Sequence, residues 1–189
     1  MKLHLGCGKK FIEGYKHIDY TNYDHIDWNQ SIYPLPFIKS DSVEEIYSSH
    51  SLEYFDFNEV EKVLLEWRRC LKIGGKLRLS VPDFDKLLFV YKESNYNIEK
   101  IIGPLFGRWN LTKNDYIYHK TVFTKEKLKL ILNSSNFGNI KEWDPLQYFG
   151  NKKNSYDDYS KAYYPHMDFE NGIPISINLI AEKIHAKSK

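Results

Sequence analysis

The sequence predicts an α/β protein in which a mostly parallel sheet is flanked by helices. Three observations favour this class. Short apolar runs alternate with amphipathic segments, the first run ends in a glycine-containing turn, and one later segment has helical periodicity. With 189 residues, 42% of them hydrophobic, the chain is long enough for one domain with a real core.

The first strands are short. Residues 2–5 form an apolar run that leads into a turn at 6–8. Residues 15–20 form a second strand that closes on an acidic residue, and residues 45–48 form a third. Between the second and third strands, two prolines in the segment 33–37 predict a stiff, extended loop.

The strongest helix prediction follows the third strand. Asp56 and Glu59 have the spacing of a capping box, and Gly74-Gly75 is expected to end the helix as a C-cap. The apolar residues between these limits share one helical face: Val60, Val63, Leu64, Trp67 and Leu71.

The second half of the chain has a looser pattern. Asp83 is expected to begin one helix and Thr124 another, since both residue types favour the N-cap position. The remaining expectations are a strand over 76–81, helices over 85–92 and 98–106 (the latter interrupted at Gly103-Pro104), a strand over 140–143, a loop or hairpin insertion over 148–167, and a closing strand over 173–182.

Composition excludes several classes of protein. A formal net charge of +2 does not indicate nucleic-acid binding, and no apolar run reaches the roughly 20 residues needed to span a bilayer. The only cysteines, Cys7 and Cys70, indicate neither a disulfide framework nor a metal knuckle, and no metal site is expected. We therefore expect a cytoplasmic protein without membrane insertion.

The turn at residues 6–8 is the first candidate for chemistry. Two glycines let the backbone approach a ligand closely. A dinucleotide fingerprint would need a third glycine where Phe11 stands, which disfavours an NAD-dependent oxidoreductase. An S-adenosylmethionine site has no pyrophosphate to bind, and Asp19 could accept hydrogen bonds from its ribose hydroxyls. The alternative is that Asp19 only caps a strand end.

An ordered set of motifs resembles the class I S-adenosylmethionine-dependent methyltransferases, which implies a Rossmann-like sheet and S-adenosylmethionine as cofactor. The set covers residues 2–83: Leu5-Gly6-Cys7-Gly8, Ile18-Asp19, Leu35-Pro36-Phe37, Ser49-His50-Ser51-Leu52-Glu53, and residues 69–77. His119-Lys120 before Phe123-Thr124 is similar to a short-form, type 11-like subgroup associated with polysaccharide biosynthesis.

The resemblance implies a cofactor-binding half (1–83) and an acceptor-side half (84–189) within one domain. By this resemblance the backbone around Leu5, Gly6, Cys7 and Gly8 lines the methionine part of the cofactor. The remaining cofactor-binding residues implied are Asp19 at the ribose, Tyr20 beside the adenine, Asn29 at the adenine amine, and Ser49 and His50 beneath the sulfonium.

The sequence departs from that family in two places. His4 stands where an acidic residue usually helps to organise the glycine turn. The connection from residue 8 to residue 19 is too short for the usual crossover helix, so we expect a single helical turn around 9–14 and a truncated N-terminus.

The candidate general base is His119, with Asp115 as the residue that would orient it. It precedes a capped helix in the half expected to hold the acceptor. His50 is the second candidate. The alternative for His119 is a local hydrogen bond that fixes the loop, and the alternative for His50 is plain packing. Aromatic residues over 148–164 suit a lid or a sugar platform, or an ordinary surface hairpin.

These features lead to two functional hypotheses. The first is a methyltransferase that O-methylates a small molecule or a sugar or glycan acceptor. The second is a catalytically inactive cofactor-binding or scaffold protein of the same fold, which the unusual His4 and the short first connection favour. The sequence leaves the oligomeric state open, with a homodimer as one outcome.

Overall fold

The computed structural model of the protein describes residues 1–112, 114–149, 158–166 and 168–185. Its strands are β1 (Lys2–Leu5), β2 (Lys16–Asp19), β3 (Trp28–Asn29), β4 (Val43–Ser49), β5 (Leu71–Pro82), β6 (Trp109–Thr112), β7 (Asp115–Ile117), β8 (Phe137–Glu142), β9 (Tyr163–Tyr164), β10 (Ile173–Pro174) and β11 (Ser176–Lys183). Its α-helices are α1 (Val60–Cys70), α2 (Phe84–Glu93), α3 (Ile102–Phe106), α4 (Lys125–Ser134) and α5 (Pro145–Phe149).

Seven strands form one sheet in the order β3-β2-β1-β4-β5-β11-β8. The strands β1 to β5 are parallel to one another, and β11 is antiparallel to both β5 and β8. The predicted α/β class with a mostly parallel sheet is confirmed. Because parallel strands end at the same edge of a sheet, the residues that follow β1, β2, β3, β4 and β5 meet there.

Helices α1 and α4 cover one face of this sheet and enclose the main core. The predicted apolar stripe of α1 is buried, and Trp67 also donates a hydrogen bond from Nε1 to the Ile32 carbonyl at 2.9 Å. Only half of the predicted capping box forms. Glu59 accepts a hydrogen bond from the Asp56 backbone, whereas the Asp56 side chain accepts from Asn58.

The other face carries a row of polar and aromatic side chains. His17, His4, Tyr47 and Arg78 follow one another across adjacent strands in register. Burial lowers the pKa of His4 well below its usual range, so this ring is neutral in the folded protein. The position that the family usually fills with an acid is therefore occupied here by an uncharged ring among other rings.

The predicted end of α1 is wrong. The helix ends at Cys70, because Leu71 already has an extended backbone with φ −67° and ψ 142°. Gly74 and Gly75 lie inside β5 instead. A Cβ on Gly75 would be 2.8 Å from the Lys72 carbonyl oxygen, so this glycine permits a tight bend early in the strand.

Two other local predictions are corrected. The connection between β1 and β2 contains turns but no helix, so the expected single helical turn around 9–14 does not form. The segment 98–106 breaks at Ile101 rather than at Gly103-Pro104, both of which lie within α3. The proline is tolerated because the first turn of a helix needs no partner for its backbone nitrogen.

The C-terminal half contains elements that the sequence pattern missed. β6 and β7 form an antiparallel hairpin in a segment without strand periodicity. The expected closing strand is divided into β10 and β11, and the expected insertion over 148–167 begins inside α5. Residues 150–157 and 167 of that insertion lie outside the described residues. By contrast, the Asp83 and Thr124 caps are confirmed.

Within the described part of the chain, no helix is both long enough and apolar enough to cross a lipid bilayer.

Candidate functional site

The glycine loop, defined here as Gly6, Cys7 and Gly8, follows β1 at the edge where the parallel strands end. Gly6 has φ +64° and Gly8 has φ +52°, a region that residues with a Cβ rarely adopt. The Gly6 amide donates to the Ile18 carbonyl at 2.9 Å. A Cβ on Gly6 would be 2.1 Å from Ser51 Oγ, so the segment after β4 packs directly against the loop.

Asp19 connects the glycine loop to the end of β2. Its Oδ2 accepts a hydrogen bond from the Gly8 amide at 2.8 Å, and its Oδ1 accepts one from the Thr21 amide at 2.7 Å. Each carboxylate oxygen has a second lone pair. The buried carboxylate therefore organises the loop and keeps acceptor capacity for hydroxyl donors.

Asn29 and Tyr20 lie beside Asp19 at the end of β2 and β3. The Asn29 side-chain amide donates to the carbonyls of Asp19, at 3.1 Å, and Tyr20, at 2.7 Å. Tyr20 is 62% exposed. The structure thus brings both predicted adenine-side residues to the same strand ends, with the Tyr20 ring at the surface.

Leu5 and Cys7 could reach a ligand only through their backbone. Leu5 is fully buried in the core, and the Cys7 thiol is 3.9 Å from His25 Nε2. Burial, with the Asp19 charge as a smaller cause, raises the pKa of Cys7 to about 12. The thiol is therefore protonated at neutral pH and is a poor nucleophile.

Unpartnered polar atoms test whether this edge fits a nucleoside cofactor. Thr21 Oγ1 and Ser49 Oγ are buried and have no hydrogen-bond partner among the described residues. Such atoms are costly unless a ligand or water satisfies them. Together with the positive-φ loop and the Asp19 carboxylate, they fit a ligand that has both an amino-acid end and ribose hydroxyls.

Trp109 is a neighbour of the loop that no sequence pattern predicted. Its indole ring lies 3.3 Å from the position of a Cβ on Gly8. The residue belongs to the β6–β7 hairpin, which the chain places about a hundred residues after the loop. The hairpin therefore borders the glycine loop on one side.

The second part of the site is a group of buried ionisable side chains after β4, named here the Glu53 cluster: Glu53, His50 and His119. His50 Nδ1 is 3.5 Å from Glu53 Oε1, and His119 Nε2 is 3.6 Å from the same oxygen. Both carboxyl oxygens of Glu53 are buried without a hydrogen bond in the described structure. His50 has φ +51°, an uncommon backbone for a residue of this type.

Burial moves all three groups of the Glu53 cluster toward their neutral forms. It raises the pKa of Glu53 to about 8. It also lowers the pKa of His50 to about 3, with His119 acting in the same direction. Burial lowers the pKa of His119 as well, and the backbone of Leu105 and Pro104 acts on it in the opposite direction. At pH 7 the cluster is a carboxylic acid between two neutral imidazoles rather than an ion pair.

Hydrogen bonds around His50 agree with a protonated Glu53. The Ser176 hydroxyl donates to the Tyr159 carbonyl at 2.7 Å. Since its single proton is used there, the 2.8 Å contact with His50 Nε2 requires that the histidine donates. His50 Nδ1 is then an acceptor that faces Glu53 Oε1, and a protonated carboxyl is the matching donor.

The structure corrects the partner expected for His119. The carboxyl group beside it is Glu53, whereas Asp115 lies in β7 and is exposed, with no contact to His119 among those the structure describes. Glu53 was overlooked as a site residue, although it follows His50 by three positions in a predicted strand end. Its distance of 66 positions from His119 left no sequence signal for that contact.

A cleft of about 720 Å³ lies where β5 and β8 end, and its lining residues do not include Glu53, His50 or His119. Ser176, which contacts His50, is one of its lining residues. Trp143, Tyr148 and Arg78 line it further along, and the Arg78 guanidinium is 4.0 Å from the centre of the Tyr148 ring. The cleft combines aromatic faces with hydrogen-bonding and charged groups.

The protonation of Glu53 has a measurable effect on stability. Its pKa is about 8 when folded and 4.5 in a model peptide, so its contribution is complete below pH 4.5 and is lost as the pH rises to 8. We expect Glu53→Gln to gain stability relative to wild type by up to about 1.4 kcal/mol per pH unit across this window. Urea unfolding at pH 5 to 8 measures the difference.

The matched control for that measurement is Glu61→Gln, on the exposed surface of α1. It removes a carboxyl group of the same type that lies outside the Glu53 cluster. A difference for Glu53→Gln that stays flat over pH 5 to 8 would contradict a protonated Glu53 in the folded protein.

Comparison with known proteins agrees with this arrangement. A family model described as "Methyltransferase domain" matches residues 15–79, which include the ends of β2, β3 and β4 and the Glu53 cluster apart from His119. No curated protein matches the chain.

Solved structures with the same fold cover nearly the whole chain. A SAM-dependent methyltransferase from Methanosarcina mazei has a TM-score of 0.56 at 17% identity, over 98% of this chain and 92% of that one. One from Archaeoglobus fulgidus has a TM-score of 0.55 at 17% identity, over 96% and 85%.

A third structure was solved with ligands. It is the Burkholderia thailandensis 1,6-didemethyltoxoflavin-N1-methyltransferase with bound 1,6-didemethyltoxoflavin and S-adenosylhomocysteine. Its TM-score is 0.55 at 10% identity, over 97% of this chain and 71% of that one. At these identities each likeness concerns the fold. The methyltransferase-domain match over residues 15–79 and the shared fold together support S-adenosylmethionine-dependent methyltransferase activity, with S-adenosylmethionine as the cofactor.

Proposed function

We propose that the protein transfers a methyl group to a hydroxyl of a small molecule or of a sugar or glycan. The observation that carries this proposal is the Glu53 cluster after β4, whose His50 contacts Ser176 in the lining of the cleft. An acceptor hydroxyl is a weak nucleophile and must lose a proton as it is methylated. A buried group of two imidazoles and a carboxyl is suited to take that proton.

The cofactor half of this proposal uses the strand ends. We assign the amino-acid end of S-adenosylmethionine to the glycine loop and Ser49, the ribose to Asp19, and the adenine side to Tyr20 and Asn29. When bound, the cofactor supplies a methyl group that its sulfonium has already activated. The residues of the chain then have to bind the cofactor and the acceptor, orient them, and exclude water.

The acceptor half uses the cleft. Aromatic faces such as Trp143 and Tyr148 suit the apolar faces of sugar rings, and Asn178 and Ser176 offer hydrogen bonds to hydroxyl groups. The proposed role in polysaccharide biosynthesis rests on the family resemblance, and the proposed cytoplasmic location rests on composition. An assay with a panel of sugar, phenol and amine acceptors tests the substrate class. Its readout is the release of S-adenosylhomocysteine with each acceptor. Turnover of amines alone would overturn the O-methylation proposal.

His119 is proposed as the general base. Its Nε2 lies 3.6 Å from Glu53 Oε1, within the Glu53 cluster. Orienting the reactants supplies roughly 7–11 kcal/mol, and a base adds about 10²–10⁴-fold in rate. Orientation is thus the larger contribution, and loss of the base should slow turnover without abolishing it.

We therefore expect His119→Gln to lower kcat about 10²–10⁴-fold while the Kd for S-adenosylmethionine stays near the wild-type value. Steady-state kinetics and calorimetry measure the two quantities. The control is His166→Gln, at an exposed histidine, which should leave both unchanged. An unchanged kcat in His119→Gln would remove it as the base.

A cofactor-binding protein without activity is the second candidate. The Trp109 indole favours it, because this ring lies against Gly8 and narrows the space beside the glycine loop. Binding of S-adenosylmethionine without turnover of any acceptor in the panel would support this candidate. Failure to bind at millimolar cofactor would exclude both.

A further inference from the structure

The surroundings of Glu53 contain no counter-charge. His50 faces it from the end of β4, His119 faces it from the segment after β7, and Tyr54 lies beside it and against the His119 ring. The Tyr159 ring lies against the His50 ring, with ring centres 5.3 Å apart and planes tilted by 39°. In the part of the chain that the structure describes, no lysine or arginine forms an ion pair with Glu53.

The Glu53 cluster is fixed close to the glycine loop. Ser51, two residues before Glu53, contacts Gly6 and its hydroxyl donates to the Gly6 carbonyl at 3.3 Å. On the other side, the Lys120 and Thr121 amides both donate to the Glu53 backbone carbonyl, at 2.8 and 3.1 Å. A charge that binds against the glycine loop therefore acts on Glu53 through protein rather than through water. Electrostatic interactions are stronger through protein because its effective dielectric constant is lower.

The cofactor introduces such a charge, because its sulfonium is a permanent cation. Resting on the proposed function, we propose that the Glu53 cluster releases one proton when S-adenosylmethionine binds and takes up the acceptor's proton when the methyl group is transferred. Glu53 is the group that carries the compensating negative charge. It is a positioning residue, since it is fully buried and acts through His119.

Atoms and charges balance in this step. The carbon–sulfur bond breaks as the oxygen–carbon bond forms, and the bonding pair stays on sulfur, which becomes a neutral thioether. The acceptor's hydroxyl proton moves to His119 Nε2, beside the Glu53 carboxylate. The site has one positive and one negative charge before transfer, and again one of each afterwards, on His119 and Glu53.

The neutral state of the Glu53 cluster agrees with this proposal. The pKa of Glu53 is about 8 because of burial, so the carboxyl holds a proton at pH 7 that a nearby cation can displace. S-adenosylhomocysteine has no sulfonium. The two ligands should therefore differ in the number of protons that the protein releases when it binds them.

Calorimetry of the full chain at pH 7 in three buffers with different ionisation enthalpies measures this number. Wild type should release about one proton more than Glu53→Gln on binding S-adenosylmethionine, and about the same number as Glu53→Gln on binding S-adenosylhomocysteine. The amino group of each ligand contributes equally to both proteins. Glu61→Gln, at an exposed site, should behave as wild type.

Two results would overturn the inference while leaving the methyltransferase proposal intact. One is equal proton release for the two ligands in wild type, a comparison that does not depend on the folding of any variant. The other is the wild-type difference between ligands persisting in Glu53→Gln. Absence of any binding heat with millimolar S-adenosylmethionine would instead overturn the proposed function itself, and the inference with it.

Discussion

Replacing Gly6 by alanine is expected to destabilise the protein by about 3 kcal/mol or more and to abolish cofactor binding. Two costs add at this position. A left-handed backbone, here φ +64°, costs a residue with a Cβ roughly 1–2 kcal/mol. The new Cβ would also lie 2.1 Å from Ser51 Oγ and 2.7 Å from Ser51 Cβ, and overpacking costs about 1–3 kcal/mol.

The chain offers a control that separates these two costs. Gly14 has φ +81° and no atom within 4 Å of the position of its Cβ, so Gly14→Ala includes only the backbone cost. In urea unfolding, the free energy of unfolding of Gly6→Ala should be lower than that of Gly14→Ala. Adding Ser51→Gly to Gly6→Ala should recover part of the loss. Equal stability of the two single variants would show that Ser51 does not constrain the loop.

Replacing Asp19 by asparagine is expected to weaken the binding of S-adenosylmethionine about 100-fold. The carboxylate accepts hydrogen bonds from the Gly8 and Thr21 amides on separate oxygens. An asparagine has one acceptor oxygen, so one backbone amide would face an NH₂ group. Hydrogen bonds to a charged group are worth about 1.5–3 kcal/mol, and 2.7 kcal/mol corresponds to the expected hundredfold change.

Calorimetric titration of the variant measures this loss, and Asp24→Asn is its matched control. Asp24 is exposed and lies in the same connection between β2 and β3. Its removal should leave the affinity unchanged. Wild-type affinity in Asp19→Asn would contradict the role of Asp19 in both the glycine loop and the ribose site.

Much of the cofactor edge could be predicted because it depends on local pattern. The run at 2–5 and the acid at Asp19 mark two strand ends, and the α1 stripe shows a period that only a helix produces. Parallel strands then bring their ends together by topology alone. The errors at Gly74-Gly75 and around 9–14 are local too. Gly74 and Gly75 lie inside β5 rather than at the end of α1, and the connection over 9–14 contains turns rather than a helical turn.

The Glu53 cluster shows what local pattern could not provide. His50 is three positions from Glu53, but His119 is 66 positions away and Ser176 is 126 positions from His50. Neither contact follows from periodicity, capping or composition. The same holds for Trp109 beside Gly8, since the β6–β7 hairpin has no strand pattern.

By itself, the sequence determined the α/β class, the order of the first strands and the glycine loop with its acid, because apolar periodicity and glycine placement are read within a few residues. Only the tertiary structure decided what surrounds the loop and what His119 contacts. Burial is a property of the whole fold, and it is burial that turned Glu53 from an ordinary surface-type residue into a neutral acid between two imidazoles.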